Sequence, residues 1–595
     1  VVLCGLDTGF DDRHAETKMT DTRSKNEIIK ENSRLLRGSI ADGLQRVETG
    51  AIDEDDTQLL KFHGSYMQDD RDVRGERAKK KLEKAFSFMI RLRLPGGVVT
   101  PEQWIKLDSI ASTYANGTLR LTTRATFQYH GVIKSNLKRT MQAINAACID
   151  TIAACGDVNR NVMSAANPFL SKPHRVAEKL AIDVSNHLLP RTGAYHEIWL
   201  DDEKVIERAG TAEPESEPIY GQHYLPRKFK TVVAVPPDND VDVFAHDLGY
   251  IAIVEKGEVV GWNVTVGGGM GMTHGEPDTF PRTADLLGFC TPDQAVDVAE
   301  KVVTVQRDWG NRAVRKNARL KYTIERVGID AFRAEVEKRL GYKLGPPRPF
   351  TFTSTADPIG WRQTLDGKAA DKRWHLTLYI ENGRIKDTPA MKLKTAIRQI
   401  AEAGGVDFVV TSNQNLIIAN VTAKAKPQIE AILKKHGVSL TTSSGMRRNA
   451  MACVALPTCG LALAESERFL PDLVTDLENS LEAAGLRDDD IVVRMTGCPN
   501  GCARPYLAEI GFVGRSPGLY NLYLGAAFDG TRLSKLYAQD VNREQILALL
   551  DPLFKRYAKE RLDGEHFGDF CVRAGVVKPT LAGNAFHDDV VLAKA

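Results

Sequence analysis

The sequence predicts an internally duplicated fold of mixed strands and helices, and three observations predict it. Thr118-Leu-Arg-Leu-Thr-Thr-Arg-Ala-Thr-Phe-Gln-Tyr-His-Gly-Val132 resembles Asp407-Phe-Val-Val-Thr-Ser-Asn-Gln-Asn-Leu-Ile-Ile-Ala-Asn-Val421. Thr122 falls opposite Thr411, Phe127 opposite Leu416 and Val132 opposite Val421, at a constant offset of 289 positions. Further on, Asn159-Arg-Asn-Val-Met163 matches Arg447-Arg-Asn-Ala-Met451 at an offset of 288. Each long match also has the same lead-in: an apolar strand and glycine turn (Met89 to Gly97; Leu376 to Gly383), then a helix (Pro101 to Tyr114; Met391 to Glu402). Matches in the same order imply a repeated unit of about 290 residues.

Composition describes an ordinary folded chain. Of 595 residues 43% are hydrophobic and 26% charged, enough to build cores and too apolar for disorder as the main state. Length suggests roughly three or four domains. The formal net charge is only +2, so no overall field recruits nucleic acid or an anionic membrane, and any basic site must be a local concentration. No apolar run reaches the roughly 18 residues of a membrane span. Val1 to Met19 lacks the apolar stretch of a signal peptide. Met19 is a candidate natural start, with residues 1–18 outside the natural protein. A cytoplasmic location with reduced thiols follows.

Four of the nine cysteines lie between Cys453 and Cys502. They read Cys453-x5-Cys459, 38 residues, then Cys498-Pro-Asn-Gly-Cys502. Structural zinc favours shorter gaps, because a tight turn must place two sulfurs on one small ion. A cubane offers corners further apart and is held by four thiolates. The spacing therefore favours a 4Fe–4S cluster over zinc, and both over disulfides. Cys4, Cys148, Cys155, Cys290 and Cys571 have no ligand-like pairing and read as small buried hydrophobes.

Cations recur on strand faces. In an extended strand, positions i, i+2 and i+4 share a face. Arg120, Thr122 and Arg124 then line one side, opposite Leu119 and Leu121; Arg91 and Arg93 form a second such pair, and Lys228 and Lys230 a third, with Phe229 pointing away. Each alone is ordinarily a solvated face. Together they are suited to line a cavity for a polyanion. In the second copy Val409, Thr411 and Asn413 replace Arg120, Thr122 and Arg124, so one half keeps a cationic surface that the other lacks.

Several segments together resemble the siroheme-containing sulfite reductases, haemoprotein (β) subunit, within the nitrite/sulfite reductase family. They are Lys61-Phe-His-Gly-Ser-Tyr-Met-Gln-Asp-Asp-Arg-Asp-Val-Arg-Gly-Glu-Arg77, residues 119–128, Gly-Asp-Val-Asn-Arg-Asn-Val at 156–162, Leu-Pro-Arg-Lys-Phe-Lys at 225–230, and Thr496-Gly-Cys-Pro-Asn-Gly-Cys-Ala-Arg504 with the earlier cysteine pair. The resemblance runs from about residue 30 to 575. It implies a pseudo-two-fold α/β (α+β) architecture: an N-terminal arm or partner-binding segment (1–84), a duplicated ferredoxin-like domain (85–152 plus 366–440), a siroheme and substrate lobe (153–365) and a cluster and siroheme lobe (441–595). It implies siroheme and a 4Fe–4S cluster, with Cys453, Cys459, Cys498 and Cys502 on the cluster and Cys502 also on the siroheme iron. Sulfite would be reduced to sulfide by six electrons, in sulfate assimilation and cysteine biosynthesis. Arg91, Arg160, Lys228 and Lys230 would hold it, the lysines also delivering protons. Arg120 and Arg124 would pair with siroheme carboxylates, with Thr122, Gln128 and His130 nearby.

Other features are weaker. Gly267-Gly-Gly-Met-Gly271, after a strand from Glu258 to Val266, lacks the dinucleotide spacing and reads as a tight turn that lets backbone approach the haem. The charge run Asp69 to Lys84 reads as a solvated amphipathic helix. Ala125 and Gly460 depart from the family pattern, where glutamine and proline are common, without removing a ligand. A zinc-bound Cys4 module on nucleic acid is disfavoured by the small net charge, and a pure electron carrier would not need the distal cations. Siroheme nitrite reductase is the rival within the family. No flavin or nicotinamide fingerprint is present, so electrons come from a separate protein, an NADPH-dependent diflavin subunit before ferredoxin.

Overall fold

A computed structural model describes residues 23–192, 217–440 and 443–593. The readings made above of Cys4, Met19 and residues 1–18 lie outside the described residues. Four five-stranded sheets form two related pairs. The first central sheet runs Ser65–Asp69, Phe86–Arg91, Phe127–Val132, Leu119–Leu121 and Arg384–Ile385; the second runs Gly360–Gln363, Trp374–Leu378, Leu416–Val421, Asp407–Val410 and Val98–Val99. All pairings within both are antiparallel.

The last strand of each central sheet comes from the other copy. Arg384 and Ile385 pair with Arg120 and Leu119, while Val98 and Val99 pair with Val409 and Phe408. Neither copy can complete its sheet alone. The crossing demands glycine at Gly97 and Gly383, with φ +79° and +71°. A Cβ there would lie 2.7 Å from Val410 O and 2.3 Å from Leu121 O respectively, carbonyls that occupy matching places in the two copies. Duplication extends to backbone detail: Ala125 and Gln414, 289 positions apart, both have positive φ (49° and 69°), as do Gly131 and Asn420 (77° and 59°).

The helix Pro101–Tyr114 starts at the cap Thr100, whose side chain and Gln103 satisfy each other's backbone N–H groups. It packs on the matching helix Leu393–Ala403, with Asp108 receiving Arg398 Nη1 at 2.7 Å. Trp104, fully buried, meets Phe127 of the first sheet and Phe408 of the second, at centroid distances of 5.6 and 4.8 Å. One indole thus ties both copies into a single core.

Each outer lobe repeats one topology. Met163–Ser164, Thr231–Ala234 and Leu248–Glu255 are parallel, and Glu258–Val266 and Asp285–Cys290 follow antiparallel. Ala450–Ala452, Val493–Thr496 and Ile510–Ser516 are likewise parallel, followed by Leu519–Leu524 and Lys535–Val541. Expected and observed elements agree at Pro101–Tyr114 and Glu258–Val266. They differ at three places. The strand of Arg120 stops at Leu121, and residues 122–126 form a tight turn closed by Thr122 N–H to Thr126 O at 2.9 Å. Lys228 and Lys230 precede the strand Thr231–Ala234, although Phe229 is buried opposite them as alternation requires. In the charge run from Asp69 to Lys84 only Arg74–Lys79 is helical.

A buried ion cluster clamps the lobes together. Asp242 of the first lobe accepts from Arg494 Nη1 (2.7 Å) and from Arg504 Nε, both of the second lobe and all three essentially without solvent contact. Removing the carboxylate leaves two unpaired buried guanidinium groups, a loss of about 3–5 kcal/mol. Asp242→Asn is therefore expected to lower the urea midpoint sharply. Asp551→Asn, which breaks only a surface pair with Lys555, should change stability by less than about 1 kcal/mol.

Candidate active site

Two neighbouring parallel strands deliver the cysteines. Cys453 and Cys498 lie just past the carboxyl ends of Ala450–Ala452 and Val493–Thr496, which pair Ala452 with Met495. Parallel strands open at that edge, so both thiols emerge on one side. Cys453 N–H donates to Met495 O at 3.2 Å. Cys459 is folded back by its N–H to Ala455 O (2.9 Å), and Cys502 stands in the turn where Gly501 N–H meets Cys498 O at 3.4 Å.

The sulfurs are met by donors. Gly497 N–H reaches Cys453 Sγ at 3.4 Å and Asn500 Nδ2 reaches Cys498 Sγ at 3.6 Å. The N–H groups of Leu461 and Ala462 serve Cys459. Burial pushes the Cys453, Cys459 and Cys498 thiols upward, Cys498 to about 12, and the nearby Cys502 pushes each further. The four thiols thus share one electrostatic site. Among the described residues, however, no three Cys, His, Asp or Glu side chains close on the position of a single metal ion. Gathered but spread sulfurs with N–H donors fit the corners of a cubane better than one zinc.

Cys502 is the exposed member of the set, and it faces cations. It lies near enough to Lys228 and Lys230 to act on them electrostatically. Those lysines are brought beside Arg160 because Asn159 bridges Phe229 in parallel and Arg160 N–H donates to Phe229 O at 3.0 Å. Burial, then the charges of Arg227, Arg160 and Arg319, lowers Lys228 to about 7. Lys230 is driven well below its ordinary value by burial, then by Arg124, Arg319 and Lys228. Both side chains keep some open surface, yet they open into a recess walled by protein and like charge. Lys230 is set in place by its N–H to Asp247 Oδ2 at 3.0 Å.

Arg91 joins this recess from the central sheet. It pairs with Gln128 across the strands; with the amide oxygen turned toward it, Gln128 accepts from Arg91 Nη2 at 2.5 Å and Nε at 3.1 Å. Arg91 Nη1 also reaches Cys155 Sγ at 3.2 Å. Arg160 is held by Nε to Gly156 O at 3.0 Å and by the Tyr66 hydroxyl, which faces Cys155 as well. Arg124 is buried in the turn whose Thr122 Oγ1 accepts its N–H at 3.2 Å. Its guanidinium meets the carbonyls of Asn161 and Thr231 and His246 Nδ1. His246 Nε2 donates to Val241 O (3.0 Å), which leaves Nδ1 as the acceptor. Burial, then the neighbouring Arg504, Arg160 and Arg91, lowers Arg124 to about 9.

Arg120 and His130 do something other than expected. Arg120 Nε pairs with Glu467 at 2.9 Å, and its Nη2 donates to Ala452 O, the residue before Cys453, at 2.9 Å. Arg384 takes the same carboxylate at 2.6 Å. Arg120 is therefore committed to protein rather than left to face cofactor carboxylates, because Glu467 arrives from the other copy to neutralise it. His130 is buried beside this triad and held neutral by burial, then by Arg384 and Arg120. Sequence reasoning missed Tyr66, Asp247, Arg319 and Glu467. It also read Cys155 as an inert hydrophobe, whereas the thiol touches Arg91. Only Tyr66, inside the Lys61–Arg77 signature, carried any signal. The glycine stretch 267–271 meets the cysteine turn, with Met272 N–H to Pro499 O at 2.8 Å and Lys321 Nζ to Gly271 O at 2.7 Å; it serves no nucleotide loop.

The residues present fit an anionic prosthetic group. Arg319 is neutralised by Asp247 at 2.5 Å, but Arg124, Arg160, Lys228 and Lys230 have no carboxylate partner among the described residues. Arg124 Nε and His130 Nδ1 are buried with no hydrogen-bond partner. Uncompensated buried cations are costly unless an anion meets them.

Comparison with known proteins agrees with this geometry. Residues 80–147 and 366–436 match the nitrite/sulfite reductase ferredoxin-like half domain, and residues 184–344 match the nitrite and sulphite reductase 4Fe-4S domain. The chain is 64% identical over 576 residues to the sulfite reductase (NADPH) hemoprotein beta-component of Methylobacterium sp. (strain 4-46), covering 96% of this chain and 94% of that protein. Its counterpart in Geobacillus thermodenitrificans is 58% identical over 565 residues, covering 94% and 97%. Among solved structures, Mycobacterium tuberculosis NirA superposes with a TM-score of 0.70 at 24% identity, covering 91% and 94%, a likeness of fold.

Burial alone would raise the Glu467 carboxyl, but Arg120 and Arg384 outweigh it and hold it at about 2. A depressed carboxyl stabilises the fold above its unfolded value, near 4.3, and that contribution is lost as pH falls toward 2. Glu467→Gln is expected to cost about 3 kcal/mol at pH 5–7. Urea titrations at pH 7, 5 and 4 should show a constant gap from wild type that begins to narrow only at the lowest pH.

Proposed function

The chain belongs to the nitrite and sulfite reductase family, and from that membership we propose that it is the hemoprotein of a sulfite reductase, converting sulfite to sulfide. One observation carries the assignment of roles: the exposed Cys502 of a four-thiol site lies near Lys228 and Lys230, beside Arg160. Cys453, Cys459, Cys498 and Cys502 are the residues to hold the 4Fe–4S cluster, and Cys502 the one shared with siroheme. When bound, those two groups supply the stored electrons and the metal that takes the sulfur of sulfite.

The chain's own residues supply charge, orientation and protons. Arg160 and Arg91 present planar forks to the oxyanion, and Gln128 fixes the fork of Arg91 from behind. Three oxygens must leave as water, so protons have to arrive where they depart. Lys228, at about 7 in the protein alone, gives up a proton from Nζ far more readily than an exposed lysine. Lys230 stands next to it and is depressed further. Burial excludes bulk water and makes each fixed cation more effective on a charge developing at the substrate. Arg124 has the position and the free Nε to meet a carboxylate of the macrocycle.

Electrons are expected from a separate NADPH-oxidising flavoprotein component, as the names of the relatives say of those proteins. The role belongs to sulfate assimilation in the cytoplasm, where the thiols stay reduced. Among the described residues no helix is long and apolar enough to cross a membrane.

Aerobically purified protein, made with siroheme supplied, should show a siroheme spectrum with about five irons and four acid-labile sulfides per chain; a colourless protein with one zinc would overturn the reading. Lys228→Ala is expected to lower kcat by about a hundredfold or more with viologen as donor. Lys228→Arg should restore KM for sulfite while leaving kcat low, because it returns charge without a labile proton. Recovery of kcat by arginine would show that Lys228 acts through charge alone.

A further inference from the structure

Strand pairing sets the two outer lobes in register. Met163 pairs with Val232 and Val232 with Gly249, as Met451 pairs with Arg494 and Arg494 with Gly511. The offset is 288 on the first of these strands and 262 on the next two. It continues past the strand ends: Asp242 and Arg504, 262 positions apart, both have positive φ, 49° and 53°. Two residues earlier, Asp240 falls at the place of Cys502, and Ala165 falls at the place of Cys453. The first lobe thus has a counterpart of the thiol site, and a carboxylate stands there in place of the exposed thiol.

That counterpart is a cavity of about 30 Å³, room for one or two water-sized particles. Asp240 and Asn167 lie on its wall, 7% and 5% exposed, and each keeps an Oδ1 with no hydrogen-bond partner. The other oxygen of Asp240 accepts Ala166 N–H at 2.7 Å, which fixes the carboxylate. Asp238 stands on the same wall, and its carboxylate makes no hydrogen bond or ion pair among the described residues. Asp357 closes the cavity, but its oxygens are taken by Thr411, Asn413 and Asn415. Burial, then the charges of Asp357, Asp238 and Asp242, pushes the Asp240 carboxyl well above its ordinary value. Burial raises Asp238 and Asp357 as well. Arg362, the strong base on the wall, is exposed and forms no ion pair there. A buried acid by itself is ordinarily just protonated; here a bare amide oxygen and room for a guest accompany the acids.

We propose that Asp240, Asp238 and Asn167 hold a hard divalent cation, of the magnesium class, at the first lobe's counterpart of the thiol site. Carboxylate and amide oxygens suit magnesium, which keeps waters on its remaining positions, whereas soft metals prefer sulfur. The two histidines on the wall do not turn the site toward zinc. His375 Nδ1 accepts from Asn420 N–H at 3.3 Å and its Nε2 meets Thr364 Oγ1 at 3.1 Å, while His174 Nδ1 meets Ser171 Oγ at 2.7 Å. Two carboxylates and one amide also agree with the absence, among the described residues, of three Cys, His, Asp or Glu side chains around one ion. A dication there offsets Asp238 and Asp240, with Asp357 behind them, and removes the repulsion among the three. The duplicated fold then carries two metal places in mirrored loops, one of sulfur and one of oxygen.

The test uses the holoenzyme, dialysed against a chelator with its visible absorbance retained, and Mn²⁺ as probe, the free ion being followed by its EPR signal. Wild type is expected to take up one Mn²⁺ per chain and to release it to Mg²⁺. Asp240→Asn keeps the shape and removes the charge. Asn167→Gly removes the amide and suits the positive φ of 66°. Each should weaken the site by about tenfold or more, with visible absorbance unchanged. Mg²⁺ should also raise the melting temperature of wild type and leave that of Asp240→Asn where it was. No Mn²⁺ uptake by wild type up to about 1 mM would overturn the proposal. So would uptake that neither substitution weakens, which would place the ion elsewhere. Should Asp240→Asn lose its visible absorbance, Asn167→Gly decides, and an unchanged affinity in that variant defeats the proposal.

Discussion

The structure depends on holding like charges together before anything neutralises them. Arg124, Arg160, Lys228 and Lys230 converge in one recess, and the nearby carboxylates are spent on other arginines, Asp247 on Arg319 and Asp157 on Arg315. Across that recess four thiols gather in one site, and Cys453, Cys459 and Cys498 are pushed upward by burial and by Cys502. Each set is unfavourable alone, and neither can neutralise the other by direct pairing, because cations and sulfurs face across a gap. The remainder of the fold can be read as scaffolding for that standing imbalance. The Asp242–Arg494–Arg504 clamp joins the lobe of the cations to the lobe of the thiols, and Arg504 also donates to Thr123 O, in the Arg124 turn, at 3.0 Å.

Duplication explains where the scaffold comes from, and the two copies differ at the place that gathers the cations. In the second copy Arg124 becomes Asn413, and Arg160 becomes Arg448. The place that mirrors the cationic recess is occupied by chain: Asp357, from the connection between the copies, accepts from Asn413 Nδ2 at 3.0 Å and Asn415 Nδ2 at 2.9 Å, and Asn413 also reaches Thr355 O at 2.9 Å. A carboxylate of the chain itself meets the turn that, in the first copy, is left for a ligand. Asp357 fills that place with a side chain of the chain itself, its carboxylate held by the amides of Asn413 and Asn415 and by the charge of Arg504.

Much of this was legible in the sequence, for a physical reason. Repeats, helix caps and cysteine spacing are local patterns, so the offset of 289, the helix Pro101–Tyr114 and the thiol set could be read directly. The fate of Arg120 could not. Its partner Glu467 lies 347 positions away and reaches it only because each copy lends a strand to the other's sheet. The same holds for Cys155, which sits in a loop 64 positions from Arg91 and meets the end of the strand Phe86–Arg91 only in the folded chain. Alternation placed Arg124 on a strand face, but Leu121 ends the strand; the turn that follows, with Ala125 at positive φ, aims the side chain inward by a route that period-two reasoning does not contain.

The exchanged strands also fix how the two functions of the site are kept apart. Arg384, lent to the first sheet, meets Glu467 and through it Arg120, which braces the carbonyl just before Cys453. That places a neutralised, rigid ion triad behind the thiols. The unneutralised cations lie on the other side, where Cys502 opens. Had Arg120 remained free, it would have competed for the anion that the recess is built to hold. By committing it to Glu467, the fold makes the face behind the sulfurs electrically quiet and leaves the charge of Lys228, Lys230 and Arg160 on the other side. An exchange of strands between the two copies is what makes the two faces of the site different.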